Sequence, residues 1–286
     1  MTRKTHEKAV PRILIVEDDR ATRHLLSGLL KAANFAVATA RDGANALRHL
    51  KAKSCDLMLL DIWMPRMTGL ELLARLRNEP VRRKVVVMTS DDAPETLLQA
   101  VRDQAYQYIS KPVEPKALIE LIHRVLAAPL ASPPIEVVSA RPSWVELLVP
   151  CEREAADRIQ SFMAHLDADL APDVRESVGF AFRELLLNAI EWGGQLDPNR
   201  KVRIAYLRAR RMLLYRIADP GPGFSFKRLK HAAVGHPEGS PLDHMSHREE
   251  QGLRPGGFGI MISQAKVDEL IYNEAQNEVV LVKYLD

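Results

Sequence analysis

The chain has 286 residues, of which 47% are apolar and 27% are charged, and its formal net charge is +3. At roughly 100–200 residues per domain this length predicts two domains, and the apolar content excludes a mainly disordered chain. No apolar run approaches the ~20 residues of a membrane-spanning helix, two cysteines make no disulfide framework, and the small net charge gives no reason to expect nucleic-acid binding. We therefore expect a cytoplasmic protein that binds neither membrane nor DNA.

Residues 1–127 alternate five short apolar segments with five amphipathic segments. Continuous apolar runs are typical of strands that are buried on both faces of a parallel sheet. The predicted strands are residues 13–16, 35–40, 57–60, 85–88 and 106–109. The predicted helices lie near residues 20–32, 42–52, 68–78, 93–104 and 114–127. Five β/α repeats in this order predict a doubly wound, five-stranded parallel sheet.

Four prolines interrupt residues 128–142, which we expect to be a linker containing a short strand at 135–138. The second predicted domain spans residues 143–286. Its predicted strands are residues 144–148, 202–208, 212–218, 267–272 and 278–284, and its predicted helices lie near residues 152–167, 172–192 and 260–265. The long Gly/Pro/His-rich stretch 219–257 is typical of a functional lid or a disordered segment.

Polar side chains stand at the ends of the predicted strands of the first domain. Asp18 and Asp19 follow the first strand, Asp61 follows the third, Thr89 ends the fourth and Lys111 follows the fifth. Ligands of open α/β sheets bind at this edge, and gathered carboxylates attract a divalent cation such as Mg²⁺. A carboxylate neutralised in this way can attack phosphorus, although each acid taken alone is also compatible with capping a helix.

These positions resemble the receiver domain of response regulators over residues 11–127. The matching motifs are Ile-Val-Glu-Asp-Asp at 15–19, Leu-Leu-Asp-Ile-Trp-Met-Pro at 59–65 with Gly69, Met-Thr-Ser at 88–90 and Tyr-Ile-Ser-Lys-Pro at 108–112. The resemblance implies a flavodoxin-like fold. It also implies that Asp61 accepts a phosphoryl group from a sensor histidine kinase or phosphotransfer protein, and that Asp18 and Asp19 help to hold Mg²⁺.

The same resemblance assigns roles to three further residues. Thr89 and Lys111 would contact the phosphoryl group, and Tyr108 stands at the position of the family's aromatic switch. Thr89 and Tyr108 would relay the added charge to the face formed by the fourth helix, fifth strand and fifth helix. The bond between Lys111 and Pro112 is a candidate for the cis form.

The second half contains residues suited to a nucleotide. Glu184 and Asn188 are four residues apart and so lie on one helical face. An amide oxygen can bind Mg²⁺, and a carboxylate one turn earlier can orient or deprotonate a nucleophile. Asp219 follows a predicted strand, where its carboxylate can accept a hydrogen bond from an adenine amino group. Each feature alone is also compatible with a hydrated helix face or an ordinary turn.

Two glycine clusters flank the long stretch after Asp219. The first is Gly221 and Gly223, which permit close approach of backbone to a ligand. The second is Gly257 and Gly259, which open a short helix whose backbone amides can bind an anion.

In this order the elements resemble the nucleotide-binding domain of gyrase, heat-shock, histidine-kinase and mismatch-repair ATPases, the Bergerat fold, over residues 143–286. Within that group the segment looks most like the bacterial anti-sigma-factor serine kinases. The resemblance implies an α/β sandwich that binds Mg²⁺ and ATP, with Asn188 as the Mg²⁺ ligand, Glu184 as candidate general base and Asp219 as the adenine contact. The glycines that would line the base pocket and the phosphate end of the lid are Gly221, Gly223, Gly257 and Gly259.

Two departures leave kinase activity open. Trp192 stands where that kinase family often has histidine, and residues 224–255 make a long, histidine-rich lid. A histidine-kinase fragment is disfavoured, because only one predicted helix, rather than a hairpin of two long helices, lies between the linker and the Asn188 helix. A DNA-binding response regulator is disfavoured because we find no recognition helix.

We therefore expect a signalling protein in which phosphorylation of Asp61 controls a Mg-ATP-binding domain that acts as an anti-sigma factor or protein serine/threonine kinase. The alternative is an ATP-binding interaction module without kinase activity. The expected partner of the second domain is a sigma factor or an antagonist of the anti-anti-sigma type, and a homodimer is compatible with both domain classes.

Overall fold

The computed structural model describes residues 10–79, 83–90, 93–128, 133–141, 143–224 and 258–285. The chain divides into two compact units, and each unit has a sheet of its own. Within the described ranges no helix is long and apolar enough to cross a membrane.

The first unit contains the predicted five-stranded parallel sheet. Its strands are β1 (Arg12–Val16), β2 (Ala36–Ala40), β3 (Leu57–Asp61), β4 (Lys84–Thr89) and β5 (Gln107–Ser110), in the spatial order β2-β1-β3-β4-β5. The alternating helices are α1 (Arg20–Ala32), α2 (Gly43–Ala52), α3 (Gly69–Arg77), α4 (Pro94–Arg102) and α5 (Pro115–Ala127). The predicted fold is confirmed, and the element boundaries differ from the expected ones by at most two residues.

Local sequence explains where the first three helices begin. Asp19, Asp42 and Thr68 are the N-cap residues of α1, α2 and α3, and each side chain accepts a hydrogen bond from the backbone N–H three residues later. Thr68 and Glu71 form a reciprocal capping box. Each cap contributes about 1 kcal/mol and fixes the turn that joins a strand to the next helix.

The buried strands of this sheet account for their unbroken apolar sequences. β3 and β4 are buried along their whole length, because helices cover both faces of the sheet. Ile13, Leu59 and Val86 share one buried cluster with Leu118 and Ile122 of α5. This cluster packs α5 against the central strands of the sheet, which keeps the strand ends in a fixed arrangement.

The second unit is built on an antiparallel sheet. Its strands are β6 (Glu136–Arg141), β7 (Trp144–Pro150), β8 (Lys201–Ala209), β9 (Met212–Ala218), β10 (Glu269–Tyr272) and β11 (Glu278–Tyr284), in the spatial order β10-β11-β9-β8-β7-β6. Its helices are α6 (Arg153–Leu166), α7 (Pro172–Asn188) and α8 (Gly259–Lys266). α6 packs against β7, while α7 packs against β9, β11 and α8. This arrangement of one sheet and its helices agrees with the predicted α/β sandwich.

The structure differs from the sequence expectations at two places in this unit. β6 lies inside residues 128–142 and pairs with β7, so the second sheet begins within the stretch expected to be a linker. The α-helix expected to reach residue 192 ends at Asn188 and continues as a π-helical turn, Ala189–Gly193. Such turns occur mostly as single interruptions and are frequent at functional sites.

A buried carboxylate connects α6 to the sheet. Asp167, just after α6, accepts hydrogen bonds from the hydroxyls of Tyr206 at 3.0 Å and Tyr215 at 2.5 Å. Burial raises the pKa of Asp167, and the two hydroxyls and the nearby Arg208 partly oppose that rise. Asp167, Tyr206 and Tyr215 are all buried. Removal of the Asp167 carboxylate would therefore leave two buried hydroxyls without their acceptor.

We expect Asp167→Ala to lower the free energy of unfolding of the second unit by about 2–4 kcal/mol, because two buried donors lose their acceptor. Chemical denaturation followed by the fluorescence of Trp144 and Trp192 measures this change. Asp169→Ala is the matched control: its carboxylate is 74% exposed and pairs with Arg208 at 3.0 Å, so its loss should cost less than about 1 kcal/mol. Equal losses in the two variants would contradict the role given to Asp167.

Candidate functional site

The carboxyl edge of the parallel sheet collects the polar residues of the first unit. Glu17 and Asp18 directly follow β1, and Asp61 is the last residue of β3. Thr89 is the last residue of β4, and Lys111 directly follows β5. Because the strands are parallel and neighbouring, their ends meet at one edge, as the sequence predicted.

Three carboxylates lie together at this edge. Glu17, Asp18 and Asp61 each offer an oxygen, and these oxygens all lie within 4.8 Å of one another. Glu17 is 1% exposed and Asp61 is 4% exposed, whereas Asp18 is open to solvent. A set of oxygen donors with one open side suits Mg²⁺, which keeps several waters and takes few protein carboxylates.

Lys111 supplies a cation that pairs with two members of this cluster. Its Nζ lies 2.8 Å from Glu17 Oε2 and 3.0 Å from Asp61 Oδ1. Burial alone would lower the pKa of Lys111, but the bonds to the two carboxylates outweigh it and raise that pKa. Burial raises the pKa of Glu17, its bond to Lys111 opposes the rise, and the charge of Asp61 adds to it. The site is thus a cluster of carboxylates with one ammonium group bound to two of them.

Asp19 is not in the carboxylate cluster, although the sequence predicted it to be a metal ligand. Its side chain accepts a hydrogen bond from Thr22 N–H at 2.7 Å and so caps α1. Glu17 takes the place that we had expected Asp19 to fill. The signal for Glu17 was present in the sequence, since the first residue after a fully buried strand lies at the sheet edge.

Thr89 and Tyr108 occupy neighbouring strands behind the site. Both are buried, Thr89 at the end of β4 and Tyr108 in β5. The backbone N–H of Lys111 donates to the carbonyl of Thr89 at 2.6 Å, which ties the two strand ends together. The bond between Lys111 and Pro112 is cis, as predicted. Burial raises the pKa of the Tyr108 hydroxyl, which therefore stays protonated.

Gly69 is required by the loop that follows Asp61. Its N–H donates to the carbonyl of Ile62 at 2.8 Å. A Cβ at this position would overlap the backbone carbonyl of Asp61. The absence of a side chain at Gly69 therefore lets the start of α3 approach the strand end that presents Asp61.

In the second unit, α7 presents Glu184 and Asn188 one turn apart near its C-terminal end, and both are half-buried. Gly259 is the first residue of α8, and a Cβ there would overlap the Glu184 carboxylate. The start of α8 therefore packs directly against Glu184, the residue predicted to act as general base. Gly257, the other predicted member of this glycine pair, lies outside the described residues.

Asp219 is held in place by its backbone and by two glycines. Its N–H donates to the carbonyl of Asn277 at 2.8 Å, and its Oδ1 accepts the N–H of Gly221 at 2.7 Å. A Cβ at Gly193, in the π-helical turn after Asn188, would overlap the Asp219 carboxylate. Burial raises the pKa of Asp219, while the Gly221 N–H and the charge of Arg200 oppose that rise.

The sequence pattern did not single out Gly193, which connects the Asn188 segment to Asp219 in the second site. It lies on the segment that continues from Asn188 and touches the carboxylate that follows β9. Gly223 has a φ of +84°, and a Cβ there would overlap the carbonyl of Ala275. Both positions exclude any larger residue, so the backbone around Asp219 keeps one shape.

We expect Asp18→Asn and Glu17→Gln each to weaken Mg²⁺ binding at least about tenfold, since each removes a charged oxygen ligand or its close neighbour. Titration of nucleotide-free protein with Mg²⁺, followed by the fluorescence of Trp63 beside Asp61, measures this loss. Asp19→Asn is the control, because asparagine caps helices as well as aspartate does, and it should keep the wild-type affinity. A loss in Asp19→Asn as large as that in Asp18→Asn would contradict the observed cluster.

Comparison with known proteins assigns each unit. The profile of the response regulator receiver domain matches residues 13–123, and that of the histidine kinase-like ATPase domain matches residues 150–283. Two-component response regulator ORR11 of Oryza sativa subsp. indica is 32% identical over 121 residues, which are 41% of this chain and 82% of that protein. Regulatory protein AtoC of Escherichia coli (strain K12) is 34% identical over 118 residues, which are 41% of this chain and 26% of AtoC.

Among solved structures, the receiver domain of NtrX from Brucella abortus is 32% identical with a TM-score of 0.39, covering 41% of this chain and 99% of that chain. The receiver domain protein from Methanospirillum hungatei JF-1 is 30% identical with a TM-score of 0.41, covering 42% and 95%. The profile matches and the identity to ORR11 over most of its length settle the family. The chain belongs to the two-component response regulators and carries, after its receiver domain, a histidine kinase-like ATPase domain.

Proposed function

We propose that phosphorylation of Asp61 controls a Mg-ATP-dependent activity of the second domain, which acts as an anti-sigma factor or protein serine/threonine kinase in partner switching. The observation that carries this proposal is that one chain joins the Lys111-paired carboxylate cluster to an ATPase domain that has Glu184, Asn188 and Asp219 in place. The ATPase domain matched over residues 150–283 is the output that this proposal assigns to the receiver.

The receiver geometry supports phosphoryl transfer to Asp61. A carboxylate oxygen of Asp61 would form a bond to the phosphorus of a phosphohistidine while the P–N bond breaks and the histidine nitrogen takes up a proton. Bound Mg²⁺ would offset the charge of the phosphoryl oxygens. Lys111, 3.0 Å from Asp61 Oδ1, would then bind one of those oxygens together with the hydroxyl of Thr89. A sensor histidine kinase or phosphotransfer protein would be the donor.

The second domain supports ATP binding through residues that take different parts of the nucleotide. Asp219, held by Gly221 N–H, would accept a hydrogen bond from the adenine amino group, and Gly221 and Gly223 would line the base pocket. The amide oxygen of Asn188 would hold Mg²⁺ on the phosphates. Glu184, on α7 beside Gly259 at the start of α8, would take the proton of an acceptor hydroxyl as the oxygen–phosphorus bond forms and ADP leaves.

A binding module without kinase activity is the second candidate, and two observations favour it. Arg183 Nη1 lies 3.8 Å from Glu184 Oε1, so an ion pair already engages the carboxylate that would act as the base. Trp192, 46% exposed on the π-helical turn, stands where the related serine kinases often have histidine. In this candidate ATP only shapes the surface that a sigma factor or an anti-anti-sigma-type antagonist contacts.

The domain limits proposed for these activities are residues 1–127 for the receiver, 128–142 for the connection and 143–286 for the ATP-binding domain. Because β6 pairs with β7, part of the connection contributes a strand to the second sheet. A truncation that starts at residue 143 would therefore expose the edge of β7, and a truncated ATPase domain should begin before Glu136.

We expect Glu184→Gln to keep ATP affinity within about twofold and to abolish transfer of labelled phosphate to a serine- or threonine-containing antagonist, because it removes only the base. Asn188→Ala should instead abolish Mg²⁺-dependent ATP binding. Calorimetry measures the binding, and acid-stable labelling measures the transfer. Wild-type protein that binds ATP but labels no acceptor establishes the module, and unchanged ATP binding in Asn188→Ala would overturn the nucleotide site itself.

A further inference from the structure

A concave surface of the receiver, distinct from the Asp61 site, is lined by basic residues. It has a volume of about 540 Å³ and lies between the end of β2, the start of α1 and the outer face of α2. Its walls include three arginines and one histidine: Arg23, Arg41, Arg48 and His49. None of the described residues that line it is acidic. We call this feature the arginine pocket.

Two carboxylates that interact with pocket arginines, Asp42 and Asp19, also have other partners. Asp42 is buried, accepts the N–H of Asn45 at 2.7 Å and pairs with Arg66 at 3.1 Å, while Arg41 lies at a longer 3.7 Å. Asp19 accepts the N–H of Thr22. Arg41 and Arg23 each interact with one carboxylate, Asp42 and Asp19 respectively. Arg48 bonds to the neutral Asn45, so a bound anion would add negative charge beside all three guanidinium groups.

Polar groups hold two of the three guanidinium groups in fixed directions. Arg48 Nη2 donates to Asn45 Oδ1 at 2.6 Å on α2. Arg23 Nη1 donates to the carbonyls of Glu17 at 2.7 Å and Asp18 at 3.0 Å. Fixed guanidinium groups lose little entropy when they bind, and their fork geometry matches phosphate oxygens.

We infer that the arginine pocket binds a phosphate-bearing small anion, such as inorganic pyrophosphate or the phosphates of a nucleotide. The concavity is within the size range of small-molecule pockets, and the lining is cationic without an apolar platform, which favours phosphate groups over an apolar ligand or a base. Since Arg23 bonds to the backbone of Glu17 and Asp18, the ligand would sit one side chain away from the loop that presents the metal-binding carboxylates.

The inference is tested by chemical protection of arginines in the full chain. Phenylglyoxal modifies accessible guanidinium groups, and peptide mass spectrometry reports each site separately. In Mg²⁺-free buffer, pyrophosphate should slow modification of Arg41 and Arg48 at least about threefold and saturably, while exposed Arg75 on α3 serves as the internal control and should react at an unchanged rate.

Variants of the same chain make the assignment specific. Calorimetric affinity for pyrophosphate at this site should fall about tenfold in Arg48→Gln and stay unchanged in Arg75→Gln, because only the first removes a pocket cation. Any pyrophosphate binding by the second domain is the same in both variants, so it does not affect the difference in affinity between them. If ADP and pyrophosphate protect the arginines equally, the pocket recognises the phosphates alone. If ADP protects them more strongly, the pocket recognises a nucleotide.

Three results would overturn the inference. These are equal modification of Arg41 and Arg48 with and without pyrophosphate, protection of Arg75 to the same extent, and protection by poly-glutamate when pyrophosphate gives none. The last result would make the pocket a contact for an acidic protein instead.

Discussion

The pairing of the Lys111 ammonium with Glu17 and Asp61 is the interaction on which the carboxylate cluster of the receiver depends. Three carboxylates within 4.8 Å repel one another, and two of them are buried, where that repulsion is least screened. One fixed cation reduces the cost while leaving the solvent side open through Asp18. The cluster is therefore an acidic site that is open to solvent at Asp18, and the parallel sheet is the frame that brings its members together.

Steric exclusion has the corresponding role in the second domain. Gly193, Gly221 and Gly259 contact the Asp219 or Glu184 carboxylate so closely that a Cβ would overlap with it or crowd it. The backbone thereby approaches both acids closely, at positions where a side chain would collide with them. Glycine at these positions has a specific reason, the close approach of backbone to a functional group.

The sequence predicted those features that follow from local pattern, and it missed those that depend on contacts across the fold. Buried apolar runs located β1, β3 and β4, and strand ends located Asp61, Thr89 and Lys111. The sequence pattern placed Asp19 among the metal ligands, whereas in the structure Asp19 caps α1 and Glu17 lies in the carboxylate cluster. This difference depends on the helix cap, which the strand pattern does not show. β6 was expected only as a short strand in a linker because its sequence alternates weakly between prolines, and its pairing with β7 defines it. The π-helical turn Ala189–Gly193 has no periodic signal in the sequence, and the predicted α-helix continued through it.

The central claim is that the state of Asp61 controls nucleotide binding by the second domain. The direct measurement is a Mg-ATP titration followed by tryptophan fluorescence, with and without beryllofluoride as a mimic of phosphorylated Asp61. Trp192, one turn after Asn188, is the reporter, and Asp61→Asn is the control that cannot take up the mimic. We expect beryllofluoride to change the ATP affinity of the wild-type chain at least about fivefold and to leave Asp61→Asn unchanged. Identical ATP affinities with and without beryllofluoride, in a protein shown to bind it, would contradict control of the ATP site by the receiver.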